Sequence, residues 1–241
     1  MEYYFITGTG KGIGKALAEA LLENEEAFVT GISRHQTINH PRYRHLNMDL
    51  SETQNLLTHL PEIFQQVQDA DKLVLVNNAG VLGEIGYVGE KQNEDFNYVF
   101  SVNVTAPAIL MNAFLHTYRE VKAEKIILNI SSGAGKYPMD GWASYCASKA
   151  ALDLFSESVQ LEQNLLNSGV RVFSLAPGIV DTQMQAQIRE TPSAQFSQVS
   201  KFKDYKASGS LASPETVAKK LKKLLKLPPG NLKVVCRIDE L

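Results

Sequence analysis

The chain has 241 residues, 44% of them hydrophobic, and a formal net charge of −2. That is enough apolar material for one substantial core, and a near-neutral charge argues against nucleic acid as the main partner. No consecutive apolar run reaches the roughly 18 residues of a bilayer span, and the first strand-like segment starts too early for a signal peptide, so no membrane partner and a cytoplasmic location are expected.

In chain order, apolar strands alternate with helices. Glu2 to Thr7 reads as a strand, Gly12 to Glu23 as a helix and Ala27 to Ile32 as a strand. Ser51 to Gln68 reads as a helix whose Ser51-x-x-Gln54 start suits a capping box. Lys72 to Val76 is a strand, Asn93 to Tyr118 a long helical stretch, Lys125 to Ile130 a strand, and Ser144 to Asn167 a helix ended by Gly169. Arg171 to Leu175 is a strand, residues 177 to 212 are loop-rich, Pro214 to Lys226 is a helix, and Lys233 to Cys236 a last strand. The lysines from Lys219 to Lys226 read as a solvated helix face. Cys146 and Cys236 give neither a disulfide framework nor a metal set, and no metal is expected. The alternation predicts a single-domain α/β fold over residues 1 to 241: a doubly wound, Rossmann-type parallel sheet with helices on both faces.

In such a sheet, ligands bind beyond the carboxyl ends of the strands. Gly8, Gly12 and Gly14 follow the first strand there, as Gly-x-x-x-Gly-x-Gly. With Lys11 and Ile13 they form a turn whose backbone approaches a pyrophosphate at a helix N-terminus. Twenty residues past Gly14, where an NAD-binding chain usually carries an acid, stand Ser33 and Arg34, and no acid lies between Ala27 and Asn47. Arg34 and Lys11 therefore point to the 2′-phosphate of NADP(H), the alternative being a surface arginine in a turn. Asp49 and Leu50 suit the adenine edge, and Asn78, Ala79 and Gly80 a close passage of the same cofactor.

Three Tyr-x-x-x-Lys pairs occur, Tyr87/Lys91, Tyr118/Lys122 and Tyr145/Lys149, so spacing alone does not choose among them. Tyr145 alone has Ser132 thirteen residues upstream, at the end of a strand, and opens a small-and-apolar helix. The other two read as surface coincidences. On one helix face, Lys149 is expected to lower the Tyr145 pKa, making the phenol an acid for a carbonyl oxygen. Ser132 would donate a hydrogen bond to that oxygen.

Thr7-Gly8-x-x-x-Gly12-x-Gly14, Asn77-Asn78-Ala79-Gly80, Asn103, Ser132, Tyr145-x-x-x-Lys149 and Pro177-Gly178 together resemble the short-chain dehydrogenase/reductase family over essentially the whole chain. The resemblance implies that Asn103, Ser132, Tyr145 and Lys149 are catalytic, Asn103 holding a water linked to Lys149. It also implies that Pro177, Gly178, Val180 and Thr182 meet the nicotinamide, and that the two long helices join subunits of a homodimer or tetramer. Within the family, residues 131–136, 141–146 and 176–189 and the tail 237–240 are similar to bacterial benzil reductases forming (S)-benzoin, relatives of sepiapterin reductase. This implies NADPH-dependent reduction of one carbonyl of a vicinal diketone such as benzil. Tyr137, Met139, Trp142 and Met184 would form its apolar wall or simply pack a lid, residues 183 to 209. Asp239 would anchor a pterin if the substrate is of the sepiapterin type, and otherwise is a solvated tail residue. A catalytically silent NADP-sensing protein is the third reading.

Overall fold

A computed structural model describes every residue except Gln68, Pro229 and Asn231. Among the described residues, seven strands form one parallel sheet: β1 (Glu2–Thr7), β2 (Ala27–Ser33), β3 (Tyr43–Asn47), β4 (Lys72–Asn77), β5 (Glu124–Ile130), β6 (Arg171–Ala176) and β7 (Val235–Arg237). Their spatial order is β3-β2-β1-β4-β5-β6-β7. The chain runs outward from β1 to β3 and then returns to place β4 on the other side of β1, so a crevice opens past the ends of β1 and β4. Side chains alternate across the sheet. Tyr4 and Ile6 of β1 face one apolar layer with α1 (Gly12–Leu22) and α8 (Pro214–Leu224), while Phe5 faces the other with α2 (Thr53–Ile63), α4 (Ala106–Thr117) and α5 (Ala143–Leu165). Burial on both faces is what the continuous apolar strands require.

Several expectations are corrected. The sequence predicts no element between Ile32 and Ser51, yet Tyr43–Asn47 forms edge strand β3, whose Arg44 and His45 break the apolar pattern. Helix α2 begins at Thr53 without a side-chain cap, because the Ser51 hydroxyl donates instead to Asp49 Oδ1 at 2.8 Å, so there is no capping box. It ends at Ile63, with Phe64 as its C-cap, short of the predicted Gln68, which lies outside the described residues. The helix ending α5 turns at Asn167 rather than Gly169: Asn167 takes φ 50°, and the Ser168 N–H donates to Gln163 O at 3.1 Å. The loop-rich region contains two helices, α6 (Gln183–Glu190) and α7 (Val199–Ala207).

The stretch from Asn93 is helical throughout, but between α3 (Asn93–Phe100) and α4 it widens into a π-helical turn at Ser101–Thr105. By length and composition, Asn93–Thr117 could cross a bilayer, with a mean hydropathy of 1.5. Its apolar side is taken up by the core, where Phe114 and Tyr118 pack edge-on at 5.3 Å beside Phe5 and Phe64. Tyr118 is thus a core residue, not a surface one. The Lys91 side chain is likewise covered, 2% exposed and paired with Asp95 at 2.6 Å. Helix α8 starts as its sequence predicts, with Ser213 Oγ accepting from the Thr216 N–H at 3.2 Å and Pro214 in the first turn.

Candidate active site

The glycine turn leaves β1 in a conformation that side chains resist. Gly8 and Gly12 have φ of 75° and 58°, and a Cβ on Gly14 would stand 2.5 Å from Gly8 O. Thr7 fixes the turn to the next strand over: its hydroxyl accepts from the Asn78 and Ala79 N–H groups at 3.0 and 2.9 Å, and Asn78 Nδ2 donates to Thr7 O at 2.9 Å. No side chain caps the N-terminus of α1, which leaves its first N–H groups free for an anion. These features fit a dinucleotide.

Beyond the turn, Thr37 Oγ1 donates to Gly10 O at 3.1 Å and Ser33 Oγ to His35 O at 3.0 Å. Arg34 is exposed and meets Asp49 at 3.8 Å. Burial pushes the Asp49 carboxyl up, but two hydrogen bonds from Ser51 and the Arg34 charge outweigh this and hold it below the usual range. Lys11 reaches across the cavity mouth to hydrogen-bond Gln183 at the start of α6. One cavity of about 1410 Å³ runs from Arg34, Asp49 and Leu50, past the glycine turn, Asn78, Ala79 and Gly80, to Ser132, Tyr145 and Lys149. Ile13, Ser33, Pro177, Gly178, Val180 and Thr182 line it too, as do Tyr137, Met139, Trp142, Met184 and Asp239.

The far end of the cavity is built by the register of β5 and α5. Asn77 Nδ2 donates to Asn129 Oδ1, and Asn129 Nδ2 to Ser156 Oγ, both at 2.8 Å, a buried ladder tying β4 and β5 to α5. The short 3₁₀ turn after Ser132 lies so close to α5 that a Cβ on Gly135 would stand 3.0 Å from Ala150 N. Ser132 and Tyr145 thereby face one space. Burial pushes the Tyr145 phenol up, with the Ser132 hydroxyl acting in the opposite direction. The expected lowering by Lys149 is therefore corrected: its Nζ lies 5.8 Å from the Tyr145 ring centre and donates to Ile130 O at 2.9 Å. Lys149 itself is brought down to about 8 by burial, which Asp153 partly opposes.

Asn103 is wholly buried in the π-helical turn. Its Nδ2 donates to Val81 O at 2.8 Å and Ser148 Oγ at 3.0 Å, and its Oδ1 accepts from the Val81 N–H at 2.9 Å. It clasps the loop after β4 against α5. Ser148 and Asn129 went unread in the sequence, because isolated polar residues in apolar runs carry no spacing signal.

Over the Tyr145 side, α6 and α7 add a third apolar cluster. Trp142 stacks on Phe196 at 4.9 Å and meets the Tyr145 ring edge-on at 5.7 Å, and Met184 Sδ is 4.0 Å from the Tyr145 hydroxyl. Asp239 forms a two-pronged pair with Arg237, at 3.0 and 3.2 Å. Tyr87 and Lys122, like Tyr118 and Lys91, do not line the cavity.

Comparison with known proteins agrees with this arrangement. Residues 2–193 match the short chain dehydrogenase family. The chain is 37% identical, over the full length of both, to a benzil reductase ((S)-benzoin forming) of Bacillus cereus. It is 33% identical over 73% of its length to the sepiapterin reductase of Rattus norvegicus, covering 66% of that protein. Among solved structures it resembles the KRED1-Pglu enzyme, with a TM-score of 0.81 and 27% identity over 98% of this chain and 100% of the other. With the strand order, the glycine turn and the match along most of its length, the chain belongs to the short-chain dehydrogenase family, whose fold implies a nicotinamide cofactor.

Proposed function

We propose that the protein is an NADPH-dependent reductase of vicinal diketones such as benzil, giving (S)-benzoin. The observation that carries this reading is a buried, protonated phenol, Tyr145, beneath an aromatic and thioether wall at the end of a dinucleotide-shaped cavity. A flat, uncharged diaryl diketone matches such a wall. The similarity to benzil reductases over the full length supports the substrate class.

The glycine turn and the uncapped start of α1 hold the pyrophosphate, with Asn78, Ala79 and Gly80 beside it. Arg34 and Lys11 carry the cations a 2′-phosphate needs. Asp49 sets the Arg34 guanidinium and Leu50 packs the adenine. Pro177, Gly178, Val180 and Thr182 border the nicotinamide. The bound cofactor supplies the hydride. Tyr145 donates its phenolic proton to the carbonyl oxygen while Ser132 hydrogen-bonds the same oxygen as negative charge builds on it. Lys149 binds the nicotinamide ribose and replaces the Tyr145 proton through a water held at Asn103. Helices α6 and α7, in residues 183–209, serve as the substrate lid. The protein works as a homodimer in the cytoplasm.

A pterin reductase is the weaker reading, because the Arg237 guanidinium already occupies the Asp239 carboxylate that a pterin would need. Purified protein should oxidise NADPH with benzil, much less with NADH, and Tyr145→Phe should lower kcat/KM by about 10²- to 10⁴-fold while still binding NADPH. Arg34→Ala should weaken NADPH by roughly tenfold or more and leave NADH alone. Turnover of sepiapterin in preference to benzil would favour the pterin reading. Tight NADPH binding without turnover of either would favour a sensor.

A further inference from the structure

Two ionisable side chains are buried one turn apart on α5. Lys149 is 4% exposed and donates to Ile130 O, an uncharged partner. Asp153 follows it by four residues, on the same face of the helix, and is as deeply buried. Among the described residues it is the one carboxylic acid buried as a whole residue. Its carboxylate is fixed from two sides. Ser174 Oγ of β6 donates to Oδ1 at 2.6 Å, and Lys136, which follows the 3₁₀ turn after Ser132, pairs with Oδ2 at 3.2 Å. Asp153, Lys136 and Ser174 line the same cavity as Ser132, Tyr145 and Lys149.

A buried charge is expensive alone, and a fixed opposite charge nearby offsets part of that cost. The loop after β4 and the π-helical turn bring only neutral groups to Lys149: a Cβ on Gly80 would lie 3.3 Å from its Nζ and 3.5 Å from Asn103 Oδ1. The other titratable groups on this side of the cavity are Tyr145 and the exposed Glu157 of α5, Lys136, Cys236 of β7 and the exposed tail from Arg237 to Glu240. Burial pushes the Cys236 thiol up, so it adds no charge near neutral pH. Asp153 is thus the buried anion available to the ammonium, and it acts against the burial that lowers Lys149. Resting on the reductase reading above for its use in turnover, we propose that Asp153 is a positioning residue for Lys149. Its anchored carboxylate keeps the ammonium charged, so that the lysine holds the nicotinamide ribose and gives up the proton that restores the Tyr145 phenol, becoming neutral itself. Asp153 touches neither substrate nor cofactor in this role.

The test reads Lys149 in the cofactor-free protein, by NMR titration of carbon-13-labelled lysine side chains, its signal being the one absent from Lys149→Met. The midpoint should lie near pH 8 in the wild type and about one pH unit lower in Asp153→Asn, while Asp153→Glu keeps it near the wild-type value. Asp153→Ser replaces the asparagine variant if that one folds poorly. Lys136→Met removes a cation from the same carboxylate and should leave the midpoint unchanged or higher. An unchanged midpoint in the neutral Asp153 variants makes the residue merely structural and overturns the assignment. So does an equal fall in Lys136→Met, which would trace the effect to the docking of the Ser132 turn. With NADPH and benzil, the alkaline fall in kcat/KM should move to lower pH by the same amount in Asp153→Asn; a limb that stays put while the NMR midpoint moves overturns the role in turnover. Benzil never reduced by the wild type sinks the reductase reading and leaves the titration result standing.

Discussion

Lys149 shows how burial changes the behaviour of one residue. Its ammonium is taken out of water and falls from 10.5 to about 8, so a proton bound to the unfolded chain between those values is absent from the folded one. Stability therefore rises with pH from about 8 to 10.5 as far as this group is concerned. Below pH 8 both states hold the proton, and the folded state carries the full penalty, about 3 kcal/mol at roughly 1.4 per unit. Lys149→Met removes that penalty and also the hydrogen bond to Ile130 O, a loss that does not depend on pH. The difference in Tm between variant and wild type should favour the variant most near pH 7 and shrink steadily toward pH 10.5. A difference that stays flat across this range would mean that the ammonium is hydrated in the folded protein. The same substitution should abolish activity, so a stability gain at neutral pH would mark a residue retained for chemistry rather than for the fold.

At the scale of elements, the parts that bury a regular apolar face were legible in the sequence. Strands β1, β4, β5 and β6 and helices α1, α5 and α8 emerged because their apolar residues repeat with the period of the element. The cofactor end of the site was readable for the same reason, since Gly8, Gly12 and Gly14 sit at fixed offsets from a strand end. Two kinds of structure were not readable. Edge strand β3 and helices α6 and α7 are each buried along one side only, so polar residues interrupt their patterns. The π-helical turn at Ser101–Thr105 has no pattern of its own, and it exists through what Asn103 bonds to. Asn103→Leu removes the partner of both the Val81 N–H and the Val81 carbonyl, and two backbone groups left unmatched should cost about 2–5 kcal/mol. The urea midpoint of the variant should fall accordingly. A midpoint within error of wild type would show that the turn is held by the helix rather than by this side chain.

At the scale of the whole molecule, the sheet and its two apolar layers leave one face unexplained. Leu154, Leu161 and Leu165 of α5 are 65%, 62% and 75% exposed. At 3.6 residues per turn these positions fall within about 40° of one another, on the side of the helix opposite Tyr145, Leu152 and Val159. Exposed leucines are ordinary singly, whereas a stripe of them along a 23-residue helix marks a surface meant to be covered. A second copy of the same helix, run antiparallel, is its natural complement, because a two-fold axis sets the stripe against itself. Burying the exposed two-thirds of three leucines on each partner contributes on the order of 6–12 kcal/mol, close to the roughly 4–15 kcal/mol lost in association. The stripe alone barely closes the dimer, and the flanking Phe155 and Leu166, also exposed, have to join it. With the balance this narrow, a charge in the stripe should decide it. Leu154→Glu combined with Leu161→Glu should shift the species in light scattering from about twice the 26.6 kDa chain to a single chain, with NADPH affinity retained. A variant that keeps the dimer mass would place the interface elsewhere and leave the α5 stripe to another partner.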